Sequence, residues 1–116
     1  MKRGDVVLAD FPYQDLPGSK IRPALVVQND TDNAVLANTI LAMITGNTRE
    51  AGRPANLLVD PATLAGSACG LRGPSLVKCG NLAAIRQHRV MKIIGRLSDT
   101  LMQQVNDCLK AALQLP

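Results

Sequence analysis

Up to Leu97 the apolar residues of this chain come in short runs, each cut by Pro, Gly or an Asp/Asn cluster; after Ser98 they recur at i, i+4 spacing instead. The first pattern suits strands and tight turns, the second a single helix. Residues 5–10 are β-branched and stop at Phe11-Pro12, so they read as a first strand. Residues 13–20 contain Pro17-Gly18 and read as a loop. Residues 22–28 are nearly all apolar, which predicts a strand buried on both faces. Residues 30–33 read as a turn and 35–45 as a third strand, released by Gly46. A polar, basic loop at 48–54 precedes a short strand at 55–59, stopped by Asp60-Pro61. Residues 62–73 show no period, and 61–64 suit one helical turn. Further strands are expected at 75–78, 81–85 and 91–97, with Gly80 as a bulge.

Ser98 is an N-cap type and Asp99 suits the positive end of a helix. Leu101, Val105, Leu109 and Leu113 then form one apolar stripe to about Gln114, with Gln103, Gln104, Asn106 and Lys110 outside it. The expected fold is mainly β with a C-terminal helix: a small curled sheet or barrel, in one domain over 1–116.

A 47% hydrophobic content against 19% charged residues argues for a folded globule with a real core. That core must be aliphatic, because the chain has no Trp, one Phe and one Tyr. The same scarcity excludes a nucleic-acid surface built on many stacked aromatics. The formal charge of +4 suits a polyanionic partner without proving one. Cys69, Cys79 and Cys108 have no C-x-x-C spacing, and Met1 to Asp5 are not followed by a long apolar region. Both point to a reduced, cytoplasmic setting and to buried thiols. A single His leaves too few ligand types for a zinc site, and no cofactor is expected. No membrane span is expected either: the longest apolar candidate, 35–44, is broken by Asn38 and Thr39.

Few catalytic strategies remain. There is no Gly-x-Ser-x-Gly elbow, no phosphate-cradling glycine loop before a helix, and His88 sits in a polar segment that reads as a solvated turn. RNA, however, carries its own nucleophile in the 2′-hydroxyl. A protein that aligns it and stabilises charge on the phosphate can cleave without a covalent intermediate. An Arg and a hydroxyl donor serve that purpose. Arg22, held extended by Pro23, and Thr45 each end a predicted strand beside a loop. The guanidinium fork of Arg22 suits bidentate contact with phosphate. The sequence nominates no general base.

The blocks Arg3-Gly4-Asp5-Val6, Ile21-Arg22-Pro23-Ala24-Leu25-Val26-Val27-Gln28-Asn29-Asp30, Ala42-Met43-Ile44-Thr45, Pro74-Ser75-Leu76-Val77-Lys78 and Ile94-Gly95-Arg96-Leu97-Ser98 follow in an order that resembles the MazF/PemK toxins. These are the ribonuclease halves of bacterial type II toxin–antitoxin pairs. The resemblance implies an SH3-like β-barrel and a homodimer. It implies metal-independent, sequence-specific cleavage of single-stranded RNA to 2′,3′-cyclic phosphate and 5′-hydroxyl ends. It also implies an acidic antitoxin partner. Arg22 and Thr45 take the catalytic positions. Lys20, Gln28, Asn47, Arg49, Arg53, Ser75, Lys78 and Asn81 are the expected RNA contacts. Many members of that family carry an acidic-Gln-hydrophobic-Arg segment where this chain has Cys79-Gly80-Asn81-Leu82, which bears on base preference. The competing readings are a DNA-gyrase poison of related fold and a catalytically inert binding protein.

Overall fold

The computed structural model describes residues 1–116. Six strands form one antiparallel sheet: β1 (Asp5–Pro12), β2 (Ser19–Val26), β3 (Asn38–Thr45), β4 (Asn56–Val59), β5 (Ser75–Arg86) and β6 (Val90–Arg96). Their order is β4-β5-β3-β2-β1-β6. A short helix α1 (Asp30–Val35) links β2 to β3, a 3₁₀ turn (Gln87–Arg89) links β5 to β6, and α2 (Asp99–Leu113) closes the chain. The two outer strands, β4 and β6, do not pair, so the barrel-like sheet stays open along that seam. The loop after β4 covers the gap, with Arg96 N donating to Ala68 O at 2.9 Å. Gly70 and Gly95 permit the approach: a Cβ on either would collide with backbone across the seam, at Ile94 and Cys69 respectively.

Apolar residues are buried on both faces of the sheet, which explains runs too apolar to alternate. On one face Val6, Leu25, Ala42 and Val77 meet Leu101, Val105 and Cys108 of α2. On the other, Val7, Ala9, Phe11, Ala24, Val26, Leu41 and Ile85 form a second cluster. Phe11 is 1% exposed, and burial of such a side chain contributes about 1.5–3 kcal/mol. Helix α2 begins as its sequence predicts, with Ser98 Oγ accepting from Leu101 N at 3.2 Å.

Several boundaries differ from expectation. The turn expected at 30–33 is helix α1, because Asn29 caps it: its Oδ1 accepts from Asp32 N at 2.8 Å, and Asp30 and Asp32 sit in the first turn. The third strand therefore starts at Asn38, and Val35 is a helical residue left exposed. The β1–β2 hairpin runs further than expected, pairing out to Pro12 and Ser19, and Tyr13 N donates to Gly18 O to close the turn. The second strand accordingly ends at Val26. Residues 61–64 form hydrogen-bonded turns rather than helix, held by Asp60. The two strands expected around Gly80 are one strand with a bulge. Met43 pairs with Lys78 but Ala42 pairs with Leu82, so Cys79, Gly80 and Asn81 leave the ladder.

Candidate active site

Pro23 lies just outside the β2–β3 ladder, which begins with Ala24 opposite Met43. Continuing that register by two residues sets Arg22 across from Thr45. Alternation puts Arg22, Ala24, Met43 and Thr45 on one face of the sheet. The two residue types singled out for phosphate chemistry thus share a face at neighbouring strand ends.

The Arg22 side chain is half-buried, and its Nη1 donates to Met43 Sδ at 2.8 Å. A thioether is a weak acceptor and carries no charge. No carboxylate lies within 4.0 Å of this guanidinium; the ion pairs are Arg53–Glu50 and Lys78–Glu50. The β5 bulge sends Asn81 toward the same place, where its Nδ2 donates to Met43 Sδ at 3.1 Å. Arg22 and Asn81 therefore converge on one atom. Thr45 Oγ1 accepts from Asn47 N at 3.2 Å. The hydroxyl proton is not used in that contact and remains available to an incoming oxygen. Asn47 Oδ1 in turn accepts from Arg49 N at 3.1 Å, so Thr45, Asn47 and Arg49 form one ordered corner.

The other expected contacts separate into groups. Lys20 is exposed two residues before Arg22 on the same face of β2. Lys78 also shares that face, but its Nζ sits 3.7 Å from Glu50, which Arg53 approaches at 3.4 Å. These two cations are part-neutralised by the chain's one glutamate. Gln28 and Ser75 are corrections to the expected RNA surface. Gln28 is 8% exposed, and its Nε2 donates to Asn33 Oδ1 at 3.0 Å and Asn38 O at 2.9 Å. Ser75 is 7% exposed, faces away from Thr45 by strand alternation, and donates to Gly73 O at 3.0 Å.

Two features were missed from sequence. Met43 is one; its position two residues before Thr45 on a strand was the available signal. The β1–β2 loop is the other. Tyr13, Gln14, Asp15 and Leu16 wall a cleft of about 220 Å³ with Arg22 and Met43, and Asp15 is its acidic member. No periodicity marks a loop residue for this position. A larger concavity of about 600 Å³, bordered by Gly46, Arg72 and Lys92, is lined by neither Arg22 nor Thr45. The three thiols are buried; burial, aided by Cys108 nearby, pushes Cys79 up to about 12, and burial also raises Cys108.

Arg22, free of any ion pair, thus sits beside the Asn81 carboxamide on Met43 and, by register, across from the Thr45 hydroxyl, a set of donors suited to a phosphate. Comparison with known proteins agrees. The model of the PemK-like, MazF-like toxins of type II toxin–antitoxin systems matches residues 2–113, and the chain belongs to that family. An endoribonuclease MazF of Staphylococcus saprophyticus is 32% identical over 99% of this chain and 92% of its own length. The endoribonuclease EndoA of Bacillus subtilis is 30% identical over 99% of this chain and 96% of its own. Among solved structures, the toxin MazF-mt6 of Mycobacterium tuberculosis superposes with a TM-score of 0.77 at 25% identity, covering 97% of this chain and 98% of that one. A mycobacterial endoribonuclease solved in complex with its cognate antitoxin gives 0.78 at 22% identity, covering 100% and 97%. The curled sheet with its closing helix is thus the fold of these toxins. No helix is long and apolar enough to cross a membrane.

Proposed function

We propose that this toxin is an endoribonuclease that cleaves single-stranded RNA, with Arg22 and Thr45 carrying the reaction. The observation that carries this reading is the strand register that sets the two residues across from each other, with the guanidinium opposed by no carboxylate. In the reaction the 2′-oxygen bonds to the adjacent phosphorus and the bond to the 5′-oxygen breaks. The 2′-hydroxyl loses its proton to a base, and the departing 5′-oxygen gains one from water, which the base in turn restores, so the step is proton-neutral. The products are a 2′,3′-cyclic phosphate and a 5′-hydroxyl. Arg22 exchanges its thioether contact for the phosphate oxygens, where charge builds in the transition state. The Thr45 hydroxyl donates a second hydrogen bond. Asp15, the acid in the Arg22 cleft, takes the 2′-hydroxyl proton. Because the substrate supplies the nucleophile, the reaction needs no metal and no cofactor.

Lys20, Asn47, Arg49 and Asn81 contact the strand on either side of the cut, and Tyr13 offers one ring to a base. Lys78 and Arg53 join them only where RNA displaces Glu50. The protein acts as a cytoplasmic homodimer, and its natural inhibitor is an acidic antitoxin that occupies the same basic surface. The two curated relatives described above are named endoribonucleases, which disfavours the gyrase-poison and inert-binder readings.

The test is purified protein incubated with a long single-stranded RNA, with and without a chelator, followed by end-group analysis. Cleavage at discrete sites in both conditions, with 5′-hydroxyl products, is expected. A metal requirement or 5′-phosphate products would overturn the mechanism. Intact RNA together with inhibited gyrase would overturn the function.

A further inference from the structure

Arg86 ends β5 as the cap of the 3₁₀ turn, and Arg89 is the last residue of that turn. Both line a cleft of about 310 Å³, together with Asp10, Pro12, Ser19 and Asn38. The turn beneath them is fixed. Gln87 N donates to Ala37 O at 2.8 Å, and Gln87 Nε2 donates to Asn33 O and Leu36 O, each at 2.9 Å. Neither guanidinium has a carboxylate within 4.0 Å, and Asp10, the one acid in the cleft, pairs with neither. Two guanidinia thus line one cleft beside an anchored turn, ion-paired to no carboxylate. A phosphate in that cleft suits the guanidinium fork.

The cleft also connects to the candidate active site. Pro12 lines it, lines the Arg22 cleft, and lines a third cleft of about 330 Å³ bordered by Tyr13 and Asn81. A strand leaving Arg22 by way of Asn81 in this third cleft would reach Arg86 along the edge of β5, a stretch of about 16 Å from Asn81 at ~3.3 Å per residue. We propose that Arg86 and Arg89 form a phosphate subsite that grips the RNA a few nucleotides away from the scissile bond. This rests on the RNA-cleaving reading above. The subsite acts on binding and leaves the chemical step alone.

The test compares wild type with the double variant Arg86→Gln/Arg89→Gln. Two substrates are used: an RNA long enough to reach the cleft, and one trimmed to the nucleotides around the cut. For the long RNA, KM should rise about tenfold with kcat unchanged, in line with lost charge-assisted contacts. For the trimmed RNA, neither constant should move. The slope of log(kcat/KM) against log[salt] should flatten by about 1.4 for two lost phosphate contacts on a single strand. Arg86→Lys/Arg89→Lys should restore most of that slope, and an unchanged melting temperature shows that the turn is intact. Equal losses on both RNAs, or a fall in kcat, would overturn the subsite. So would unchanged RNA kinetics with weakened binding of an acidic antitoxin, which would make the cleft a protein-docking site. A wild type that cleaves no RNA would remove the underlying reading, whereas a cleaving wild type matched by the double variant removes only the subsite.

Discussion

Strand β3 carries polar side chains at both ends, and the fold treats the two sets in opposite ways. At its start, Thr39 is fully buried and donates to Asn33 Oδ1 at 2.7 Å; the same oxygen accepts from Gln28 Nε2, and Asn33 Nδ2 returns a bond to Gln28 O at 2.9 Å. That network is closed. At its end, Thr45 keeps its proton and Arg22 rests on a thioether. That set is open. Closed polar networks in a low-dielectric interior hold a fold in one arrangement. An open set holding a strong donor is available to a ligand. Arg3 makes the same point: its Nε donates to Val27 O at 2.9 Å and its Nη2 to Asn106 Oδ1 at 2.7 Å, which ties the segment after β2 to α2 and leaves little for RNA.

The sharpest way to break this contrast is Arg22→Ala. Removing one preorganised donor costs on the order of 100- to 1000-fold in rate. The melting temperature should stay unchanged, because the lost contact is to Met43 sulfur alone. Arg22→Lys should also be severely impaired, since an ammonium cannot reproduce a two-pronged contact. Wild-type turnover by the Ala variant would place the chemistry elsewhere. Asn33→Ala should do the reverse. It strands Gln28 and Thr39 and should lower stability in urea by about 1–3 kcal/mol, with kcat per folded molecule preserved. Loss of kcat without loss of stability would mean that the closed network is part of the site.

Thr45→Val should lower kcat by about tenfold, the worth of one hydrogen bond, and Thr45→Ser should recover most of it. A Ser variant as slow as the Val variant would show that the threonine methyl, not its hydroxyl, matters. The smallest effects belong to groups outside both sets. Cys79, pushed up to about 12, should resist thiol reagents at pH 8 until the protein is unfolded. Asp30 is held below its ordinary 3.8, chiefly by the hydrogen bond from Arg3 N at 2.6 Å. Its contribution is present above the unfolded value and lost as pH falls through the folded one. The stability gap between wild type and Asp30→Asn should therefore persist at pH 7 and close below about pH 3.8. A gap that does not change with pH would refute that origin.

Most of the strand framework was legible because apolar runs and their breakers are local signals. Helix α1 was not: Val35 and Leu36 extend the apolar character of the next strand and hide a cap that depends on one Asn29 side chain. Arg22 and Thr45 were legible as types at strand ends, but their juxtaposition follows from β2–β3 register, which sequence leaves open. Gln28 misled because a polar residue ending an apolar run looks exposed, whereas α1 folds back to bury it. Asn81 was named from the resemblance, but its place at Met43 depends on a three-residue bulge; Asp15 was not named, because a hairpin loop has no period to read.

The central claim is that the RNA attacks itself while Arg22 and Thr45 stabilise the phosphate. One substitution in the substrate tests it most directly. A single 2′-deoxy residue is placed on the 5′ side of one mapped cleavage site, in an RNA that holds a second, unmodified site. The account predicts that cutting stops at the modified position and continues at the other, in the presence of a chelator. Cleavage at the deoxy position at the rate of the unmodified site would contradict it.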